Sequence, residues 1–235
     1  MPAALASGPR SVGLRGETVT VVTRSDGGTL LAESGSGWRA LTSRARLGLS
    51  AATTLDSVTW ADRQLGWLTG LGADALVQTV DGGATWHPVK LAGPAVTTVL
   101  SPCGSGPIWS VPLVGADGKV RILATNDAGS NWHLGAAVAV TDNTIAWGCA
   151  SREVWLISRD SQLLVSSDGG STWQEVGRSP ADVTGLAPTG ATTGFAVTGQ
   201  GGSARLYSVR LPGPNFVPVP LPDWINQLSD RADSG

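Results

Sequence analysis

The residues of this chain able to do chemistry are two histidines, two cysteines, one tyrosine and a scatter of carboxylates and guanidiniums. His87 and His133 each directly follow a tryptophan, Trp86 and Trp132. A zinc pair would need convergent side chains and a third ligand. Two equivalent positions on separate outer strands instead predict surface histidines, so neither metal nor cofactor is expected. Cys103 and Cys149 each precede a tryptophan, Trp109 and Trp155, by six residues. They therefore take matching places in adjacent units, in or near the turn leaving the innermost strand. A bridge between them is open if their Cα atoms approach within about 7 Å, and it would imply an oxidising compartment. Two small buried thiols are the alternative.

Asp74, Asp117, Arg24, Asp26, Arg159 and Asp160 fall in predicted turns between second and third strands, and the connection Thr42–Asp56 adds Arg44 and Arg46. Two carboxylates about 5–9 Å apart in one pocket could hydrolyse a glycosidic bond. The guanidiniums suit planar, bidentate contacts with a protein partner. Loops held by a rigid scaffold are where function is expected. Each aspartate is also an ordinary turn-former.

What must position these groups is a repeat. Thr79-Val-Asp-Gly-Gly-Ala-Thr-Trp86, Thr125-Asn-Asp-Ala-Gly-Ser-Asn-Trp132 and Ser166-Ser-Asp-Gly-Gly-Ser-Thr-Trp173 say nearly the same thing, with tryptophans 46 and 41 residues apart. A period of that size points to a four-stranded propeller blade. The second unit reads as strands Ser57–Trp60, Leu65–Thr69, Ala75–Gln78 and Trp86–Val89. The third reads Val96–Ser101, Ile108–Val111, Val120–Ala124 and Trp132–Leu134, and the fourth Asn143–Trp147, Val154–Ser158, Leu163–Val165 and Trp173–Val176. A fifth, Asp182–Ala187, Gly194–Thr198, Ala204–Val209 and Phe216–Val219, has lost the boxed turn. A first, partial unit holds Glu17–Thr23, Thr29–Glu33 and Trp38–Leu41. The expected fold is all-β, a β-propeller of about five four-stranded blades. Either Arg10–Leu14 or the tail around Asp223–Leu228 would supply the missing innermost strand of the first blade. By domain, residues 1–15 form an N-terminal segment, 16–222 a single propeller and 223–235 a C-terminal tail.

The boxed turns must reverse the chain between outer strands. Gly82, Gly83, Gly129, Gly169 and Gly170 can take positive φ without a Cβ clash. The carboxylates of Asp81, Asp127 and Asp168 can accept N–H groups of their own turns. Thr79, Thr125 and Ser166, two residues ahead, can tie the hairpin with a hydroxyl. Trp86, Trp132 and Trp173 are expected to bury their rings between strands or blades, and removing one such ring should cost about 3–5 kcal/mol. The box is thus a structural staple.

Composition narrows the rest. The 235 residues fit one large all-β domain, and 32 glycines with 14 prolines suit closely spaced turns. Charge is sparse at 14%, and a net of −2 gives no basic footprint for nucleic acid. No run approaches the roughly 20 apolar residues of a spanning helix, and Met1-Pro-Ala-Ala-Leu-Ala-Ser-Gly has no apolar core for a signal peptide. Either the protein stays in the cytoplasm, or it is extracytoplasmic or at the cell envelope with its export signal removed.

The pattern Ser/Thr-x-Asp-x-Gly-x-Thr-Trp resembles the Asp-box, or bacterial neuraminidase repeat. Its setting in a Gly-Trp…Thr-x-Asp-Gly-Gly unit is similar to photosystem II stability/assembly-factor-like and sortilin-like propellers, over roughly residues 16–220. The resemblance implies that Asp81, Asp127 and Asp168 lie on the periphery, away from ligands. A sialidase would need an arginine cluster, a tyrosine nucleophile with its carboxylate partner and a general acid. The chain has one tyrosine, Tyr207, in a strand of the unit without a box. The expectation is a non-catalytic binding or assembly propeller presenting a loop face to a protein partner, with Arg24, Arg44, Arg46 and Arg159 as polar anchors. The alternatives are a glycan-binding or glycoside-hydrolysing propeller using Asp74, Asp117 and Asp160, and a photosystem assembly-factor-like role.

Overall fold

Branched and small residues between glycine-rich turns give short antiparallel strands throughout, and no helix among the described residues. The structure, a computed structural model, describes residues 9–23, 29–33, 38–91, 95–140, 146–158, 160–199 and 204–220. The chain divides into two units, Met1–Leu134 and Gly135–Gly235, each with its own apolar core.

In the first unit β1 (Pro9–Arg15), β2 (Thr18–Thr23), β3 (Thr29–Glu33) and β4 (Trp38–Ser43) form a four-stranded sheet in that order. Pro9–Arg15 is thus the first strand of the first repeat, pairing Val12 with Val21 and Leu14 with Val19. The other candidate for that place, around Asp223–Leu228, lies outside the described residues. The second repeat is β5 (Thr54–Trp60), β6 (Gly66–Leu71), β7 (Val77–Thr79) and β8 (His87–Pro88). The third is β9 (Val96–Val99), β10 (Cys103–Ser105), β11 (Ile108–Gly115), β12 (Lys119–Thr125) and β13 (His133–Leu134). These two repeats share one sheet because Leu71, ending β6, pairs with Thr98 of β9.

The first strand of the third repeat is split rather than continuous over Val96–Ser101. Pro102 has no N–H to give the ladder, so β9 and β10 pair with β11 on either side of it. Cys103 therefore lies at the start of β10, close to the turn that leads into β11. Apolar clusters sit between successive repeats. Val22, Leu55, Val58, Leu68, Val77 and Trp86 join the first to the second. Trp67, Leu76, Val99, Trp109, Val111 and Leu113 join the second to the third. Each repeat then depends on its neighbour for a dry face, and β6 is buried at five successive positions.

In the second unit a short β14 (Val138–Ala139) precedes two four-stranded sheets. One holds β15 (Trp147–Ala150), β16 (Glu153–Ile157), β17 (Gln162–Ser166) and β18 (Gln174–Arg178) in that order. The other holds β19 (Val183–Pro188), β20 (Thr193–Thr198), β21 (Arg205–Arg210) and β22 (Asn215–Val219). Of the expected first strand of the fourth repeat, Asn143–Trp147, residues 143–145 lie outside the described residues, and the described strand runs from Trp147 to Ala150. Cys149 is consequently also within a strand. A Cβ on Gly148 would stand 2.1 Å from the Leu186 carbonyl oxygen, so β15 and β19 approach as only glycine permits. Trp155, Leu163, Leu186, Ala196 and Val209 fill the space between the two sheets.

The indoles sort differently from expectation. The second-strand rings of Trp67 and Trp155 are fully buried and that of Trp109 nearly so. Among the turn tryptophans Trp86 is buried, while Trp132 and Trp173 are half-buried. A central strand is covered on both faces, whereas the turn indole starts the outermost strand of its repeat. Trp86 thus packs as expected of a turn ring, and Trp132 and Trp173 are covered less fully than the second-strand rings.

Candidate functional site

The three boxed turns share one hydrogen-bond pattern. In the first, the Thr79 hydroxyl donates to Asp81 Oδ1 at 2.8 Å and accepts the Gly83 N–H at 2.9 Å. Asp81 in turn accepts the Thr85 N–H at 2.9 Å and its hydroxyl at 2.5 Å. In the second, Thr125 bonds Asp127 at 2.8 Å and Gly129 N–H at 3.0 Å, while Asn131 donates backbone and side-chain N–H to Asp127 at 2.8 and 2.7 Å. In the third, Ser166 bonds Asp168 and Gly170 N–H, both at 2.7 Å, and Thr172 donates its N–H and hydroxyl to Asp168 at 2.9 and 2.7 Å. The chain can curl this tightly because Gly82, Gly83, Gly169 and Gly170 all take φ near +70° to +87°. Ala128 stands where the other turns have glycine, at φ +58°.

These contacts hold the carboxylates ionised. The Thr85 hydroxyl and N–H, with Thr79, lower Asp81 to about 2. The Asn131 side chain and N–H do the same for Asp127, also to about 2. Burial pushes Asp168 up, but the Thr172 and Ser166 donors outweigh it and leave it lowered. A fixed anion saturated with donors from its own turn is a poor general acid and has little capacity left for a ligand. The seventh position of each turn, Thr85, Asn131 or Thr172, completes this network. The motif includes this position, but its role as a donor to the aspartate shows only in the structure.

The turns are also tied to the rest of their repeats. The N–H groups of Gly82, Ala128 and Gly169 reach the carbonyls of Gln64, Pro107 and Arg152, which lie just ahead of the second strands, at 2.9, 2.9 and 3.0 Å. Within the first unit the preceding repeat grips the same position from the other side. Gln78 Nε2 donates to the Ala128 carbonyl at 3.0 Å, and Arg15 donates to the Gly82 carbonyl. Arg15 also lies over Trp60, 5.3 Å from the ring centroid, and Trp60 meets Trp86 edge-on at 5.6 Å.

The loop residues behave less uniformly. Arg44 donates to the Ala51 carbonyl at 2.6 Å across its own connection. Asp74 accepts the Ser50 N–H at 2.9 Å and the Thr53 hydroxyl. Burial raises Asp74, yet these donors leave it lowered. Both side chains thus rigidify the connection between β4 and β5. Arg46, on the same connection, is exposed and has no side-chain partner among the described residues. Asp117 pairs with Arg121 at 2.7 Å, which lowers its carboxyl. Asp160 is exposed in the turn before β17, and its carbonyl accepts Arg178 at 3.4 Å. Arg24, Asp26 and Arg159 lie outside the described residues.

No group of three His, Cys, Asp or Glu side chains able to hold a metal comes together among the described residues. His87 is exposed at the start of β8 and His133 at the start of β13. Neither cysteine is a free thiol, and both are disulfide-bonded. Tyr207 sits within β21, opposite Ala196 and Pro218, and packs against the core of the second unit. Among the described residues no helix is long and apolar enough to cross a membrane.

No protein-family model matches the chain, and no curated protein matches it. Solved structures do. An ancestral GH74 enzyme matches with a TM-score of 0.60 and 14% identity over 92% of this chain and 32% of that one. YCF48 from Cyanidioschyzon merolae matches with 0.56 and 14% over 94% and 73%. The SapL1 lectin, in complex with alpha methyl fucoside, matches with 0.51 and 15% over 90% and 79%. The chain spans about a third of the length of the GH74 enzyme. These neighbours are β-propellers, and the fold of this chain is a β-propeller. At such identities the likeness carries the fold alone, and one fold serves enzymes and lectins alike.

Proposed function

We propose that this chain is a non-catalytic Asp-box propeller of about five blades that presents a loop face to a protein partner. The observation that carries the reading is the connection between β4 and β5. Arg44 holds it from within and Asp74 from the turn after β6, and Arg46 is left exposed on a preorganised loop. An exposed guanidinium on a loop held in this way suits bidentate contact with carboxylates of a partner. The Asp-box assignment draws support from the threefold recurrence of the same hydroxyl–carboxylate–glycine network. Arg24 and Arg159 remain proposed polar anchors.

The glycosidase reading is less well supported. Asp117 is neutralised by Arg121, Asp74 is engaged in its loop, and three described surface grooves are lined without any carboxylate. An assembly-factor-like role in photosynthesis rests on resemblance alone. We place the protein at the cell envelope, because bonded cysteines suit an oxidising compartment.

The test is affinity capture from an envelope fraction with wild type and Arg46→Glu, alongside a hydrolysis assay on a panel of glycans. The reading expects a companion protein retained by wild type, depleted at least tenfold by the charge reversal, and no hydrolysis. Turnover of any glycan would overturn it.

A further inference from the structure

A groove of about 480 Å³ runs along the outer edge of the second repeat and the boxed turn of the third. Its volume is within the usual range for small-molecule sites. Val80 and Pro88 of the second repeat and the half-buried ring of Trp132 supply its apolar surface. Gln78, His87, Ser130 and Asn131 supply its polar groups. We propose that this groove is a saccharide-binding site, separate from the Arg46 loop.

A pyranose ring offers an apolar C–H face and a rim of hydroxyls. An indole covers the first, and amide and hydroxyl groups satisfy the second. Two of the amides are already oriented. Asn131 Nδ2 donates to Asp127 at 2.7 Å and Gln78 Nε2 to the Ala128 carbonyl at 3.0 Å. Their carbonyl oxygens therefore remain as fixed acceptors for sugar hydroxyls, with little ordering left to do on binding. No carboxylate lines the groove, so it lacks the paired acids that glycoside hydrolysis uses and is a binding site. Lys90 adds one cation for a uronic acid carboxylate.

An extended peptide is the competing occupant. It would bind by adding a strand to β8, but β8 is only His87–Pro88 and Pro88 has no N–H to offer. Recognition in this groove falls to side chains, as saccharides require.

The experiment is saturation-transfer NMR on the full chain with maltotriose, cellotriose, chitotriose and digalacturonate. The variants are Ser130→Arg, which fills the groove from an exposed position, and Ser171→Arg, the same substitution at the equivalent place of the next turn. At least one of the four should bind wild type and Ser171→Arg equally, and Ser130→Arg at least tenfold more weakly. Absence of binding by all four, binding unaffected by Ser130→Arg, or capture of extended peptides that Ser130→Arg abolishes would each overturn the proposal. Arg46→Glu reads out the other surface, so the two readings fail separately.

Discussion

The Thr79 hydroxyl donates to Asp81 at 2.8 Å while accepting the Gly83 N–H at 2.9 Å. One buried oxygen thus links the carboxylate to the tightest point of the turn. Thr125 with Asp127 and Ser166 with Asp168 repeat the relationship.

Removing that oxygen should destabilise the fold through an unsatisfied N–H. Thr79, Thr125 and Ser166 are all 2% exposed or less. Thr79→Val, Thr125→Val and Ser166→Ala should each cost about 1–3 kcal/mol in chemical denaturation, and Thr79→Ser considerably less. Equal stability of Thr79→Val and wild type would show the network to be incidental.

The carboxylates predict a pH dependence. Asp81 and Asp127 are lowered from 3.8 to about 2 on folding. A depressed folded value contributes stability above the unfolded value and loses it as pH falls through the folded one. Thermal midpoints should therefore fall between pH 4 and 2, and the Asp81→Asn, Asp127→Asn double variant should show a flatter slope across that window. Parallel slopes would count against it.

The fully buried second-strand indoles should matter more than the half-buried turn indoles of Trp132 and Trp173. Trp67→Ala and Trp155→Ala should each cost about 3–5 kcal/mol, against a smaller loss for Trp173→Ala, which is less fully buried. Urea midpoints decide the order, and the reverse ranking would return the main packing role to the turns.

The disulfide-bonded state of Cys103 and Cys149 predicts an intact mass lighter by two hydrogens than after reduction, and no alkylation before reductant. Two alkylated thiols in the native protein would remove both that state and the argument for an oxidising compartment.

The repeat and the roles of Thr79, Asp81 and Gly83 were legible in the sequence because they are local: hydroxyl, carboxylate and glycine lie within five residues. Pro102 splitting the first strand of the third repeat was legible in principle, since proline cannot join a ladder. Which tryptophans are buried was not, because burial depends on the neighbouring repeat. Nor was the fate of Asp74, which bonds Ser50 across 24 positions of sequence, or the groove, where Gln78 meets a turn 50 residues on. Contacts of that range leave no mark in periodicity.

The most direct test of the protein-binding reading is cross-linking mass spectrometry on the native envelope complex. Cross-links from a companion protein should concentrate on residues 42–56 and vanish with Arg46→Glu while the thermal midpoint is kept. A companion whose cross-links avoid that connection, or persist unchanged in the variant, would contradict it.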